Sequence, residues 1–379
     1  MARTLARILR SIHDGLWIEL EDLARNREGG REPLKAVLSV LLAVGVASAM
    51  HLPDIVWAAL SGFLVMRSTL AEALPRALQR TAGTIAGALT GLILARWTAQ
   101  DIGLLMAALF VLIWIAVYQG SVTATPYAWT LFGVTAAIVL IAGLATPEGT
   151  AEFAAVRAGE IAIGSASALV IAAVFEVFGA PPGKAAPGGG AVPGAALTLR
   201  RFGEEDWLAQ HWPLIIHAAQ TAVAVSLLPL VWRFFEITNY LQTAITAFIV
   251  MIVPLNVIES GSRYAVYERM AHRLIGCLLG GALALLALRL AADDGLLWAL
   301  CLAAGVWTGF HVQSGRTGLS YLGTQFAFAF LVSFVQGPGP ATSLDPPLTR
   351  LLGVMIGAAM ASLVILAWPS APRDADARA

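Results

Sequence analysis

Apolar residues gather into long runs along the chain. They fall at 34–51, 53–66, 80–96, 102–119, 124–144 and 156–178, then at 213–232, 239–258, 270–290, 294–312, 319–336 and 348–368. A helix crossing the hydrocarbon core of a bilayer needs roughly 20 such residues. The pattern predicts an all-α, polytopic membrane protein of about twelve transmembrane helices. Leu52 and Pro53 alone join the first two runs, which predicts a tight helical hairpin. Outside the runs, Leu5, Ile8, Leu9, Ile12, Leu16, Leu20 and Leu23 recur at helical spacing, with Arg3, Arg7, Arg10 and Asp14 on other faces. That spacing reads as an amphipathic helix lying in a membrane interface. Residues 179–195 are rich in Pro, Gly and Ala and predict a flexible linker. The expected organisation is an amphipathic cytoplasmic segment (1–32), a first membrane half (33–178), a linker with a second amphipathic stretch (179–212), a second membrane half (213–368) and a tail (369–379).

The halves repeat internally. Arg80, Arg157, Arg273 and Arg350 each stand at or near the start of an apolar run, and Gly87, Gly164, Gly280 and Gly357 follow seven residues later. The interval from Arg80 to Arg157 is 77 residues, and so is that from Arg273 to Arg350. Two six-helix halves point the same way across the membrane, while three-helix units within a half point oppositely. Each half is therefore a candidate 3+3 inverted repeat, a plan common in secondary transporters. Gly83, Gly87 and Gly91, Gly276 and Gly280, and Gly353 and Gly357 form small-residue stripes that let helix backbones approach closely.

Charge then sets an orientation. With the N-terminus in the cytoplasm, nineteen of the 24 basic residues fall on the inner side. The positive-inside rule thus predicts both termini in the cytoplasm. Composition agrees with a lipid environment: 58% of residues are hydrophobic and 13% charged, against roughly a quarter charged in soluble domains. Formal net charge is zero, which gives no basis for a nucleic-acid partner. Cys277 and Cys301 have neither metal nor redox spacing. Residues 1–32 lack the apolar core of a signal peptide, and no cofactor or metal is expected.

The stretch Pro53-Asp-Ile-Val-Trp57-Ala-Ala-Leu, followed by Arg76 and by Arg80-Thr-Ala-Gly83-Thr84-Ile-Ala-Gly87, resembles the fusaric acid resistance (FUSC) family. That family includes aromatic acid exporters and is similar to plant aluminium-activated malate transporters. The resemblance covers 33–178 and 213–368 and is clearest over 53–95. It implies an exporter of aromatic carboxylic acids or related anions in the inner (plasma) membrane. Many members carry a sizeable cytoplasmic domain after each membrane half, where this chain has a short linker and a short tail.

Ionisable and polar groups inside the runs need a reason. Glu160 stands where Gly83, Gly276 and Gly353 stand in the other repeats. It reads either as a proton carrier for a gradient-driven antiporter or as an ion-pair partner of Arg157, three residues earlier. The four repeat arginines read as anion attractors at helix starts or as topology-setting interfacial residues. Polar stripes lie at Asn239, Gln242, Thr243 and Thr246, at His217, Gln220 and Thr221, and at Tyr321, Thr324, Gln325 and Phe328. They line a cavity or hydrogen-bond between helices. Trp57, Trp129 and Trp307 offer rings to an aromatic substrate or anchor the interface. Asp54 reads as a helix cap. The candidate substrate path is Trp57, Arg80, Arg157, Glu160, His217, Gln242, Thr246, Arg273, Tyr321, Gln325 and Arg350.

The sequence holds no zincin, nucleophile-elbow or Walker motif, so an enzyme is not expected. With no nucleotide-binding motif in the sequence, active transport is expected to be gradient-driven or to rely on a partner. A passive anion channel and a non-transport membrane assembly role are the competing readings. Expected partners are the lipid bilayer and a small organic anion, with a second copy of the chain or a periplasmic adaptor as further candidates.

Overall fold

The computed structural model describes residues 2–25, 30–98, 101–145, 148–178, 207–235, 240–253, 257–258, 264–291, 294–336 and 345–368. Among these, the helices that matter below are α1 (Ala2–Arg25), α2 (Arg31–Ala49), α3 (Val56–Val65), α4 (Leu70–Thr98), α5 (Ile102–Val122), α6 (Pro126–Ala145) and α7 (Thr150–Phe178). They continue as α8 (Trp207–Ser226), α9 (Leu228–Phe235), α10 (Tyr240–Met251), α11 (Tyr264–Leu290), α12 (Gly295–Ser314), α13 (Ser320–Phe334) and α14 (Asp345–Ala367). The fold is all-helical as expected. The linker at 179–195, most of the amphipathic stretch 196–212, Asn239 and the tail 369–379 lie outside the described residues.

Eight helices among the described residues are long and apolar enough to cross a membrane. Three further apolar helices are shorter, Val56–Val65, Leu241–Met251 and Ser320–Phe334. They replace the expected runs at 53–66, 239–258 and 319–336. At 1.5 Å per residue, the ten residues of α3 extend about 15 Å, half of a hydrocarbon core. Their ends therefore need polar partners within the protein. The run at 213–232 is also broken, into α8 and α9.

The described chain forms two compact units that interleave the sequence halves. The first comprises Met1–Thr81, Ala155–Gly190 and Ala271–Leu351. In it α2 packs on α3 and α12, and α13 packs on α12 and α3. Phe63, Phe310, Phe330 and Phe334 fill the core between these helices. The second comprises Ala82–Ala154, Ala191–Met270 and Leu352–Ala379. There α5 packs on α6 and α8, and α10 on α6 and α8, around Leu109, Ile113, Trp232 and Phe248.

Glycines decide the closest helix contacts in both units. In the first, a Cβ on Gly164 of α7 would stand 2.1 Å from the Ala58 carbonyl of α3, and one on Gly280 of α11 would stand 2.2 Å from the Phe326 carbonyl of α13. In the second, a Cβ on Gly87 of α4 would stand 2.5 Å from the Phe132 carbonyl oxygen of α6, and one on Gly357 of α14 would stand 2.5 Å from the Thr243 carbonyl oxygen of α10. Each repeat glycine thus lets its helix rest on a neighbour's backbone, as small residues do in membranes.

Matched caps start two helices. Asp101 accepts from Gly103 N–H at 2.8 Å and Leu104 N–H at 3.1 Å, and Asp294 accepts from Leu296 and Leu297 at the same two distances. Asp54 does not cap α3 with its side chain.

The amphipathic helix α1 is present. Ile8 and Ile12 are buried, while Leu5, Leu9, Trp17, Leu20 and Leu23 are exposed. Glu19 is buried and accepts from Thr317 Oγ1 at 2.6 Å, and His311 Nε2–H donates to the Glu19 carbonyl at 3.1 Å.

Candidate functional site

The four repeat arginines do not stand at helix starts. They lie five to ten residues inside α4, α7, α11 and α14, because the polar residues before each run, Glu72 and Arg76 among them, continue the helix. All four are 3–4% exposed. Interfacial snorkelling and the dipole of the first turn therefore do not explain them.

The first unit holds all four arginines. The Arg157 guanidinium lies 3.6 Å above the centre of the Trp57 ring, and that of Arg350 lies 4.3 Å above Phe328. The two rings meet edge to face, 6.3 Å between centres at 76°. Arg273 Nη1 donates to Gln325 Oε1 at 2.7 Å and to the Tyr321 hydroxyl at 3.4 Å. Arg80 Nε donates to Ser61 Oγ at 3.0 Å. Helices α3, α4, α7, α11, α13 and α14 thus contribute to one cluster of guanidiniums, rings and neutral acceptors. Ser61 and Phe328 complete it. Ser61 carried no pattern of its own in the sequence, and Phe328 was legible only as a member of the α13 stripe.

Glu160 is fully buried. Its Oε1 accepts from the Asp54 N–H at 2.8 Å, at the start of the short helix α3, while Oε2 has no hydrogen-bond partner among the described residues. Arg157 stacks on Trp57 within electrostatic reach of Asp54 and Glu160, while Glu160 turns its Oε1 to the α3 backbone. A carboxylate at a helix N-terminus is well placed for the backbone dipole.

The remaining candidates lie in the second unit. Gln242 Nε2 donates to Thr246 Oγ1 at 3.2 Å, and this face of α10 packs against Gly353 and Gly357 of α14. His217 Nε2–H donates to the Met251 carbonyl at 2.7 Å, the last residue of α10, and Gln220 donates to the Trp368 carbonyl just beyond α14 at 2.6 Å. Trp129 packs on Phe132.

Residues 42–171 and 248–364 match the family of fusaric acid resistance protein-like proteins, well over half of the chain. The chain belongs to that family. It is a membrane protein of the fusaric acid resistance kind, with several apolar helices. It is also similar to the inner membrane protein YeeA of Escherichia coli (strain K12), at 27% identity over 147 residues. That match covers 37% of this chain, and the chain spans 39% of the relative's length. No solved structure matches.

Proposed function

We propose that the protein exports aromatic carboxylic acids or related organic anions across an inner membrane, driven by the proton gradient. The observation that carries this reading is the cluster of four buried arginines with Trp57, Phe328, Tyr321 and Gln325. A buried guanidinium is costly in a membrane protein, and such groups mark ion or substrate pathways. Guanidiniums bind carboxylates through a planar fork, and aromatic faces complement a substrate ring. The name of the Escherichia coli relative supports the inner membrane.

The fold plan we attach to this function has twelve spans in two halves, each a 3+3 inverted repeat with cytoplasmic termini. The exchange of glycine contacts supports it, since the helix that ends one three-helix unit rests on the middle helix of the other: α4 on α6, α7 on α3, α11 on α13 and α14 on α10. Glu160 is the proposed proton carrier, with one oxygen held by the α3 N-terminus and the other available to a proton.

The test is efflux of labelled benzoate from proteoliposomes with and without an imposed pH gradient, for the wild type and Glu160→Gln. Gradient-dependent efflux that the variant uncouples supports the reading. Efflux that ignores the gradient in both proteins makes the chain a passive anion channel, and no efflux at all leaves it without a transport role for this substrate class.

A further inference from the structure

We propose that Trp57 and Phe328 form the gate of the transport path: two rings that close over two buried guanidiniums and must leave them before an anion passes. This rests on the transport reading above and adds the element that opens and closes.

Four groups from four helices form one stack in the first unit. Arg157 of α7 lies over Trp57 of α3, Trp57 meets Phe328 of α13 edge to face, and Phe328 lies under Arg350 of α14. The rings are partly exposed while both guanidiniums are buried, so the rings form the outer cover and the charges lie beneath. A ring over a guanidinium face is attractive and strengthens where water is excluded. It carries no net charge, so an arriving carboxylate, with full charge and a matching fork, outcompetes it for the cation.

The rings are also mounted on different supports. Trp57 is the second residue of α3, whose start is held by the Glu160 carboxylate on the Asp54 N–H. Phe328 shares the face of α13 that carries Tyr321 and Gln325, the partners of Arg273. A shift of either short helix separates the rings without unfolding the long helices that carry the arginines. Gly164 against Ala58 fixes how close α7 lies to α3, and with it the height of Arg157 over Trp57.

The test uses proteoliposomes loaded with potassium nitrate, with valinomycin to set a potential and a dye to read its decay through nitrate leak. The proteins are the wild type, Trp57→Leu, Phe328→Leu and Trp57→Phe, each monodisperse before reconstitution. The two leucine variants keep apolar bulk and remove the π face, and either one carries the test if the other does not fold. We expect nitrate leak to rise about tenfold or more in the leucine variants, the size expected for loss of a dry cation–π contact, and Trp57→Phe to stay near wild type. Folded leucine variants as tight as the wild type overturn the gate. Benzoate efflux is run in parallel: a wild type that moves no benzoate defeats the transport reading, while the nitrate comparison still decides whether the rings close a path.

Discussion

Gly164→Ala tests the packing that places Arg157 on Trp57. The added Cβ would stand 2.1 Å from the Ala58 carbonyl oxygen and 2.6 Å from Ser61 Cβ, where ordinary contact begins at 3.4 Å. The nearest obstacle is backbone, so no rotamer change relieves it, and α7 must withdraw from α3 by about an ångström. Overpacking of this kind costs about 1–3 kcal/mol, against which the gain in helix propensity from Gly to Ala is at most about 1 kcal/mol. The same helix supplies its own control. Gly159 has nothing within 4 Å of a built Cβ, so Gly159→Ala takes the propensity gain with no clash. The two variants should differ in stability by about 2 kcal/mol, Gly164→Ala below the wild type and Gly159→Ala at or above it. Thermal melting in one detergent, followed by size-exclusion elution, reads the difference. Equal melting temperatures for the pair would refute the claim that Gly164 sets the α3–α7 distance.

His217→Leu should lower stability by about 1–3 kcal/mol, because the Met251 carbonyl loses its donor, while benzoate flux per folded molecule stays near wild type; thermal melting and efflux together check this. Glu19→Ala should release α1 from the turn before α13, read as faster hydrogen exchange in α1 and at the Thr317 amide, with unchanged exchange in α5. Asp101→Ala and Asp294→Ala should each cost about 1 kcal/mol, and by matching amounts, since their cap distances match; denaturant midpoints compare them. Gln325→Leu should raise the benzoate KM for efflux more than it lowers the maximal rate, because it removes the shorter of the two hydrogen bonds that Arg273 Nη1 makes to Gln325 and Tyr321.

Much of the fold was legible because lipid imposes simple rules. Apolar runs located the helices, and the Arg-to-Gly spacing of seven residues found the glycines on which α4, α7, α11 and α14 rest. Helix ends were not legible, because hydropathy marks where lipid can be and not where backbone hydrogen bonding begins. That is why Arg80 and Arg273 lie deep inside their helices although their apolar runs open beside them. The sequence also separated Trp57 from Phe328 by more than two hundred residues, so nothing in it announced that their rings touch. Glu160 drew notice as the odd member of its repeat. Its partner was hidden because an N–H at the start of α3 carries no side-chain signature. The polar stripes read as a cavity in the sequence, and the glycines of α14 that pack against the α10 stripe, Gly353 and Gly357, carried only a packing signal.

The most direct test of the central claim is counterflow of labelled benzoate, which needs no gradient and so isolates the path from its coupling. Vesicles preloaded with unlabelled benzoate should take up label through the wild type, and Arg157→Gln and Arg350→Gln should each lose about tenfold or more of that exchange, as expected for hydrogen bonds to a charged group. Folded variants that exchange benzoate at the wild-type rate would contradict the assignment of this arginine–aromatic cluster as the path.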